Sequence, residues 1–136
     1  MKVFIEKTAG LNQVKSDGAT MVMRDYPYPY GYILDTNSGD GENVDCYVIT
    51  QKKLGVGSIV DAEPVGFMKY FEDGKEDHKV LAALENEPVP IDAVVRGKLN
   101  EFAMHFFDHR PGKIERIGNF FGKDRAEEYI RKNRVQ

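Results

Sequence analysis

The stretch YPYPYGYILDTNSGDGENVDCYVIT, residues 26–50, contains two extended segments joined by an acidic loop. Pro27 and Pro29 exclude a helix and donate no backbone hydrogen bond, so the first segment is extended, at a sheet edge or as polyproline II. Gly, Asn, Ser and Asp dominate residues 36–43, a composition typical of a loop. The alternation in residues 44–50 predicts a strand. The stretch therefore predicts β structure with carboxylates between two strands.

Two apolar runs precede this stretch. Residues 3–6 and residues 20–23 predict two strands that pair with each other, since short apolar and β-branched runs bounded by polar residues are typical of strands. The polar segment from Lys7 to Gly18 predicts a loop between them.

A longer apolar segment follows, at residues 58–72. Pro64 and Gly66 interrupt it, which predicts either two strands or one bent strand. DGKED, residues 73–77, predicts a turn, and residues 78–84 predict the returning strand. The result is a hairpin with acidic side chains at its tip.

The hydrophobic period changes after Pro90. Apolar residues then follow the three-or-four spacing of an amphipathic helix, namely Ile91, Val94, Val95, Leu99, Phe102 and Phe106. Residues 113–118 predict a short strand and residues 124–134 a second helix, with acids early and bases late as the helix dipole favours. We therefore predict an α+β, mainly β fold in a single domain, 1–136: a small closed or partly open β-barrel of OB-like type with two flanking α-helices.

The charge of the chain is unevenly distributed. With 19 Lys and Arg against 22 Asp and Glu, the formal net charge is −3 over 136 residues. Two windows, residues 35–45 and residues 72–79, hold eight of the acids and two of the bases, and without them the remainder is positive. Clustered carboxylates repel one another, so these windows indicate a bound cation.

Composition also excludes several classes of protein. The lone Cys46 excludes an intramolecular disulfide and every multi-cysteine metal site. Because Cys46 is adjacent to Asp45 on an alternating strand, we expect it to point to the opposite face, into packing rather than chemistry. No apolar run reaches the roughly 18 residues of a membrane span, and the first ten residues lack the apolar core of a signal peptide. We expect a soluble, cytoplasmic protein.

The two acidic windows provide the chemistry. Hard oxygen ligands in this number suit Mg²⁺ or Mn²⁺, and ions held close together activate water and bind phosphoryl oxygens. Basic residues beside the strands, Lys15, Arg24 and Lys79, could bind an anionic substrate, although Lys and Arg at such positions are normally exposed. Taken one at a time, each of these features also fits an ordinary polar surface.

Beyond these residue patterns, the chain resembles a known family. Residues 26–50 resemble the signature of the family I soluble inorganic pyrophosphatases, in which a Tyr-Pro-x-x-Tyr-Gly element precedes Asp-Gly-Asp-Pro-x-Asp at a fixed spacing. EPVGFMKYFEDGKEDHKVLAAL and FFDHRPGKIERIGNF are similar to two later blocks of that family. The resemblance covers most of residues 1–120.

The resemblance implies roles for the acids. It places metal-binding carboxylates at Asp40, Asp45, Glu72 and Asp77, with Glu6 as a supporting acid of the metal site. Asp45 matches the acid that bridges two metals beside the attacking water, and Glu42 matches the proposed general base. Glu42 and Glu72 stand where the family usually has aspartate.

The resemblance also implies phosphate ligands. Tyr30, Lys15 and Lys79 match phosphate-binding residues, and Arg24 matches a phosphate-binding arginine. The family's Tyr-Lys pair is replaced here by Arg110-Pro111, so Arg110 and Lys113 are the candidate substitutes.

The resemblance implies hydrolysis of inorganic diphosphate to two phosphates, dependent on Mg²⁺ with Mn²⁺ possible. It also implies a homo-oligomer that contacts neither membrane nor nucleic acid.

Alternative functions stay open. The replaced pair fits a hydrolase of an organic or nucleoside diphosphate, and an idle barrel could bind metal only. Tyr26, Tyr28, Tyr30 and Tyr32 could share a face and stack single-stranded nucleic acid, although the acidic loops oppose a phosphate backbone.

Overall fold

The computed structural model describes residues 1–15, 21–38, 41–87, 89–106 and 115–135. It contains strands β1 (Lys2–Lys7), β2 (Gly10–Lys15), β3 (Met21–Tyr26), β4 (Tyr30–Ile33), β5 (Val44–Val48), β6 (Ile59–Glu72), β7 (Lys75–Glu76), β8 (Lys79–Leu84) and β9 (Glu115–Gly122), and helices α1 (Ala93–His105) and α2 (Lys123–Lys132). Within these residues, neither helix is long and apolar enough to cross a membrane.

The main sheet closes on itself. Hydrogen-bonded neighbours run from β1 to β4, β5, β8 and β6, and the start of β6 pairs with β1 again. The β5–β8 pair is parallel, whereas the other pairs of this ring are antiparallel. The second half of β6 carries β9 on its other edge. The predicted α+β, mainly β barrel of OB-like type with two flanking helices is confirmed.

The inside of the barrel is filled by alternate residues of the ring strands. Val3 and Ile5 of β1 are fully buried there, as are Ile33 of β4 and Cys46 of β5. Period-two alternation sends their neighbours outward. Helix α2 packs against this core through its buried residues Ala126 and Ile130.

A second core lies outside the ring, under α1. Buried Val95, Leu99 and Ala103 of α1 pack there with outward-facing residues of the barrel and with the β2–β3 pair. Asp92 caps the helix, because its Oδ1 accepts a hydrogen bond from the backbone N–H of Val95 at 3.0 Å. The apolar period from Ile91 to Phe106 thus predicted this helix correctly.

The segment after β1 differs from its prediction. Residues 10–15, expected within a polar loop, form β2 and pair antiparallel with β3. β3 is therefore not the partner of β1, which pairs with β4 and β6. The prediction failed because polar and apolar residues alternate only weakly in GLNQVK. An antiparallel pair of strands can leave one face in solvent, so β2 forms without a clear apolar pattern.

β6 is one bent strand, one of the two forms predicted for residues 58–72. Its register with β8 shifts between Pro64 and Gly66, where proline cannot contribute a backbone donor. At its end, Asp73 and Gly74 turn the chain into β7. The acidic hairpin tip predicted from the sequence is therefore present.

Candidate active site

The outward faces of β4, β5 and β8 carry polar side chains next to one another. Asp45 alternates with the buried Cys46, so its carboxylate points away from the barrel interior, as the sequence predicted for this pair. In the parallel register Asp45 lies opposite Lys79. On the other side of β5, Tyr30 lies opposite Tyr47. Strand pairing thus brings residues from three segments of the chain to one place.

Lys79 is the centre of this group. Its Nζ donates to Asp45 Oδ2 at 2.8 Å, to Asp77 Oδ2 at 3.0 Å and to Tyr30 Oη at 3.0 Å. A lysine ammonium has three N–H donors, so each one has an acceptor. The Lys79 side chain is 10% exposed, whereas those of Asp45 and Asp77 are 23% and 35% exposed. The ammonium is therefore fixed below two carboxylates that reach toward solvent.

Burial and charge act against each other in this group. Burial raises the pKa of Asp45 to about 6, although the Lys79 charge lowers it, and a hydrogen bond with Asp77 raises it further. Burial also opposes the charge on Lys79, but Tyr30 and the two carboxylates outweigh it, so the pKa of Lys79 is well above its ordinary value. Lys79 therefore stays protonated, while Asp45 holds its proton more tightly than an exposed aspartate.

Aromatic rings surround the ammonium. Lys79 Nζ lies 5.3 Å from the ring centroid of Tyr30 and 5.4 Å from that of Tyr70, distances at which a cation is attracted to a ring face. Tyr30 also contacts Tyr47, with ring centroids 4.8 Å apart. Burial raises the pKa of Tyr30 well above its ordinary value, so its hydroxyl remains protonated.

The segment that carries Asp77 and Lys79 is tied to β6 by its backbone and by His78. The Asp77 N–H donates to the Tyr70 carbonyl at 2.9 Å, and the Tyr70 N–H donates to His78 Nδ1 at 3.1 Å. His78 is buried, and its ring contacts Phe67 and Phe71 edge-on. These contacts fix the two residues that flank His78 on the outward face.

The other predicted acids lie around this centre. Glu72, the last residue of β6, lines the same cavity as Asp77 and Lys79. Glu6 lies on β1, where burial raises its pKa and Glu42 raises it further, while Lys79 lowers it. Glu42 is exposed in the segment that leads into β5. The described acids thus gather on one side of the barrel.

The predicted bases are more scattered. Arg24 lies on β3, and its Nε donates to the Phe106 carbonyl at 2.8 Å, which ties β3 to the end of α1. Lys15 is the last residue of β2, and its side chain lies outside the described part of the chain. Asp40, Arg110 and Lys113 also lie outside the described residues, so their predicted roles stay predictions.

Two tyrosines of the site were missed by sequence reasoning. Tyr47 and Tyr70 are buried, and both line the cavity beside Lys79. A signal for Tyr47 was present, because residues two apart in a strand share a face and Tyr47 follows Asp45 at that spacing. The sequence carries a weaker signal for Tyr70, since the position of Tyr70 relative to Lys79 depends on the pairing of β6 with β8.

The four tyrosines of residues 26–32 do not form one exposed row. Tyr26 and Tyr28 are buried, at 5% and 3% exposure, in the core under α1. Tyr30 points to Lys79, and Tyr32 stacks on Phe4 with ring centroids 5.2 Å apart. The structure therefore does not form the four-ring platform that the nucleic-acid alternative requires.

Two carboxylates of the site are of the type that holds a magnesium ion. Among the described residues there is no cluster of three acidic, His or Cys side chains suited to a metal ion. Asp45 and Asp77 nevertheless bring two carboxylates to one point, since an oxygen of each lies within 3.0 Å of Lys79 Nζ. Mg²⁺ keeps several waters and commonly uses one or two carboxylates together with phosphate oxygens of the substrate. This donor set agrees with that preference.

Comparison with known proteins places the chain in a family. The family model described as inorganic pyrophosphatase matches residues 1–136. The inorganic pyrophosphatase of Thermoplasma volcanium is 26% identical over 136 residues, covering 93% of this chain and 80% of its own. That of Nanoarchaeum equitans is 29% identical over 116 residues, covering 78% of this chain and 72% of its own.

The fold agrees with the family match. A solved inorganic pyrophosphatase from Coxiella burnetii superposes with a TM-score of 0.80 at 22% identity, covering 97% of this chain and 91% of its own. At that identity the likeness shows the fold, while the family model covers the whole sequence. The chain therefore belongs to the inorganic pyrophosphatase family, as its resemblance to the family I enzymes predicted.

Proposed function

We propose that this chain is an inorganic diphosphatase that hydrolyses diphosphate to two phosphates with Mg²⁺. One water is consumed: its oxygen bonds to one phosphorus, and the bond from that phosphorus to the bridging oxygen breaks. The observation that carries the proposal is the arrangement of Asp45, Asp77 and Tyr30 around Lys79 Nζ, each within 3.0 Å. It combines oxygen ligands for a cation with a fixed positive charge for a phosphate.

Asp45 and Asp77 would hold Mg²⁺, with Asp40 and Glu72 as further predicted ligands and Glu6 beside them. Bound there, Mg²⁺ supplies a water of lowered pKa and neutralises charge on phosphoryl oxygens. Mn²⁺ prefers the same oxygen ligands and could replace it. A diphosphate carrying several negative charges would be repelled by the carboxylates alone, so substrate binding depends on the cation.

Lys79 and Tyr30 would bind phosphoryl oxygens directly. Both remain protonated at neutral pH, because the pKa of each lies well above its ordinary value. The three Lys79 N–H groups are directed to Asp45, Asp77 and Tyr30, so one of them would turn to a phosphoryl oxygen on binding. The Lys79 charge and the Tyr30 hydroxyl are held in place before substrate arrives, and such prearranged groups stabilise charge that develops on a leaving phosphate. Glu42 is the proposed general base, and Lys15, Arg24, Arg110 and Lys113 are proposed phosphate ligands. The predicted homo-oligomer and cytoplasmic location stay predictions.

Release of inorganic phosphate from diphosphate tests the proposal. We expect rapid release with Mg²⁺, slower or equal release with Mn²⁺, and none above background when EDTA removes the metal. Absence of release with either metal, from a chain whose circular dichroism shows it to be folded, would overturn the proposal.

A further inference from the structure

A cavity of about 140 Å³ opens beside Lys79, between the barrel and α1. Its walls are mainly aromatic and apolar: Tyr26, Tyr47 and Tyr70 on the barrel side, and Phe102, Ala103 and Phe106 on the helix side. The three tyrosines and Ala103 are buried, each at 6% exposure or less. These walls suit an apolar group, and inorganic diphosphate has no such group.

Part of the cavity lining is polar. Tyr30, Glu72, Asp77 and Lys79 line the cavity together with the aromatic walls. These are side chains that the proposed function assigns to metal and phosphate, so a phosphoryl group bound to Lys79 would border the same cavity. A group attached to that phosphate would then lie next to the apolar walls.

The size of the cavity limits what this group can be. An apolar protein cavity of about 150 Å³ accepts benzene, so this space holds one six-membered ring and little more. A planar ring also suits the aromatic walls, because rings pack favourably edge-on or offset against other rings. A fused ring system or a long chain would exceed the space.

We propose that the site also hydrolyses diphosphate monoesters that carry a single apolar ring, with the ring bound in this cavity. The inference rests on the proposed function, since the same metal and phosphate ligands perform the reaction. The water oxygen bonds to the terminal phosphorus, and the bond from that phosphorus to the bridging oxygen breaks. The products are inorganic phosphate and the phosphate monoester, with one proton released to solvent at alkaline pH.

Phenyl diphosphate and methyl diphosphate provide the test, alongside diphosphate, with Mg²⁺ present. Phosphorus NMR identifies the phosphate and monoester products, and initial rates give kcat/KM for each substrate. We expect kcat/KM for phenyl diphosphate to exceed that for methyl diphosphate at least tenfold, since hydrophobic pockets discriminate by about this factor for even smaller groups.

A variant that fills the cavity separates ring binding from leaving-group chemistry. Ala103→Leu places a larger side chain in the cavity wall and is expected to lower the phenyl-to-methyl ratio of kcat/KM at least tenfold. Met104→Leu, at the neighbouring and 59% exposed position, is the matched control and should leave the ratio unchanged. If the leucine variant does not fold, Ala103→Val, which adds a smaller side chain to the same wall, takes its place in the test.

The outcomes distinguish the inference from the function on which it rests. Hydrolysis of diphosphate with equal kcat/KM for the phenyl and methyl esters would overturn the inference and leave the proposed function intact. A phenyl preference that survives cavity filling would also overturn it, since the preference would then come from the leaving group. Hydrolysis of phenyl diphosphate without hydrolysis of diphosphate would instead overturn the proposed function.

Discussion

Asp45 and Lys79 lie opposite each other on β5 and β8, the parallel neighbours of the barrel, and their side chains meet at 2.8 Å. The two strands are joined through the long bent β6, so this contact depends on the closed ring rather than on a local turn. The centre of the candidate active site is therefore assembled by the strand pairing that closes the fold.

Replacing Lys79 tests the role of the fixed positive charge. We expect Lys79→Met to lower kcat for diphosphate at least about a hundredfold, because loss of one prearranged donor to developing charge costs about that much. Two carboxylates would also lose their shared cation. Lys75→Met, at an exposed position of β7, is the control and should change kcat less than twofold. Equal rates for the two variants would contradict the assigned role.

The raised pKa of Asp45 predicts a dependence of stability on pH. Its folded pKa of about 6 exceeds the ordinary 3.8, so the folded state binds the proton more tightly than the unfolded state. The stabilisation from protonation is complete below about pH 4 and is lost as pH rises through about 6. Asp45→Asn removes this titration, so its stability relative to the unmodified chain should increase from pH 4 to pH 7.

Urea unfolding in EDTA, at several pH values across this interval, measures that difference in free energy. EDTA is needed because bound metal would itself keep the carboxylate ionised. A difference that stays constant from pH 4 to pH 7 would show that Asp45 titrates as an exposed aspartate does.

Gly31 allows β1 and β4 to pair closely. A Cβ at this position would overlap the carbonyl oxygen of Phe4, so Gly31→Ala forces the strands apart. We expect the free energy of unfolding to fall by about 3 kcal/mol. At Gly97, exposed on α1, such a Cβ would meet no described atom within 4 Å beyond its chain neighbours and its own helix backbone, and Gly97→Ala should stabilise by about 0.5–1 kcal/mol. Urea unfolding compares the two, and effects of the same sign would contradict this packing.

Thr36 holds the segment that leads into β5. Its Oγ1 donates to the Ile33 carbonyl at 2.6 Å and accepts from the Val44 N–H at 2.9 Å. Thr36→Val leaves the Val44 N–H unsatisfied in a buried region, while the Ile33 carbonyl keeps a hydrogen bond from Asn43 Nδ2 at 3.3 Å, so we expect a loss of about 1–3 kcal/mol. Thr8 is the contrasting case, since its buried Oγ1 makes no hydrogen bond within the described chain, and Thr8→Val should be neutral or stabilising. A larger loss at Thr8 than at Thr36 in thermal or urea unfolding would contradict this account.

Sequence reasoning succeeded where a pattern is local. The three-or-four spacing of apolar residues predicted α1, and the alternation around Asp45 predicted that Cys46 points inward. It failed for β2, whose weak alternation becomes a strand only because β3 lies beside it. It also missed Tyr70, which reaches Lys79 through the pairing of β6 with β8. Contacts between distant strands depend on register, and register is not visible in any short window of sequence.

The same distinction applies to the site. The acidic windows were evident from charge alone, and the family resemblance implied phosphate-binding roles for Lys79 and Tyr30. The contacts of Lys79 with Asp45, Asp77 and Tyr30 were seen only in the structure. The aromatic cavity was not predicted, because its walls come from the barrel and from α1, and only their packing in three dimensions creates the space.

The central claim is that the carboxylate of Asp45 is required for hydrolysis of diphosphate at this centre. The most direct test is the initial rate of phosphate release at saturating diphosphate and Mg²⁺ for the unmodified chain, Asp45→Asn and Asp61→Asn. Asp61 is the matched control, since it is an exposed aspartate at the start of β6 that pairs with Lys2. We predict that Asp45→Asn lowers the rate about a thousandfold with its fold retained, while Asp61→Asn stays within twofold. An Asp45→Asn rate within twofold of the unmodified chain would contradict the claim.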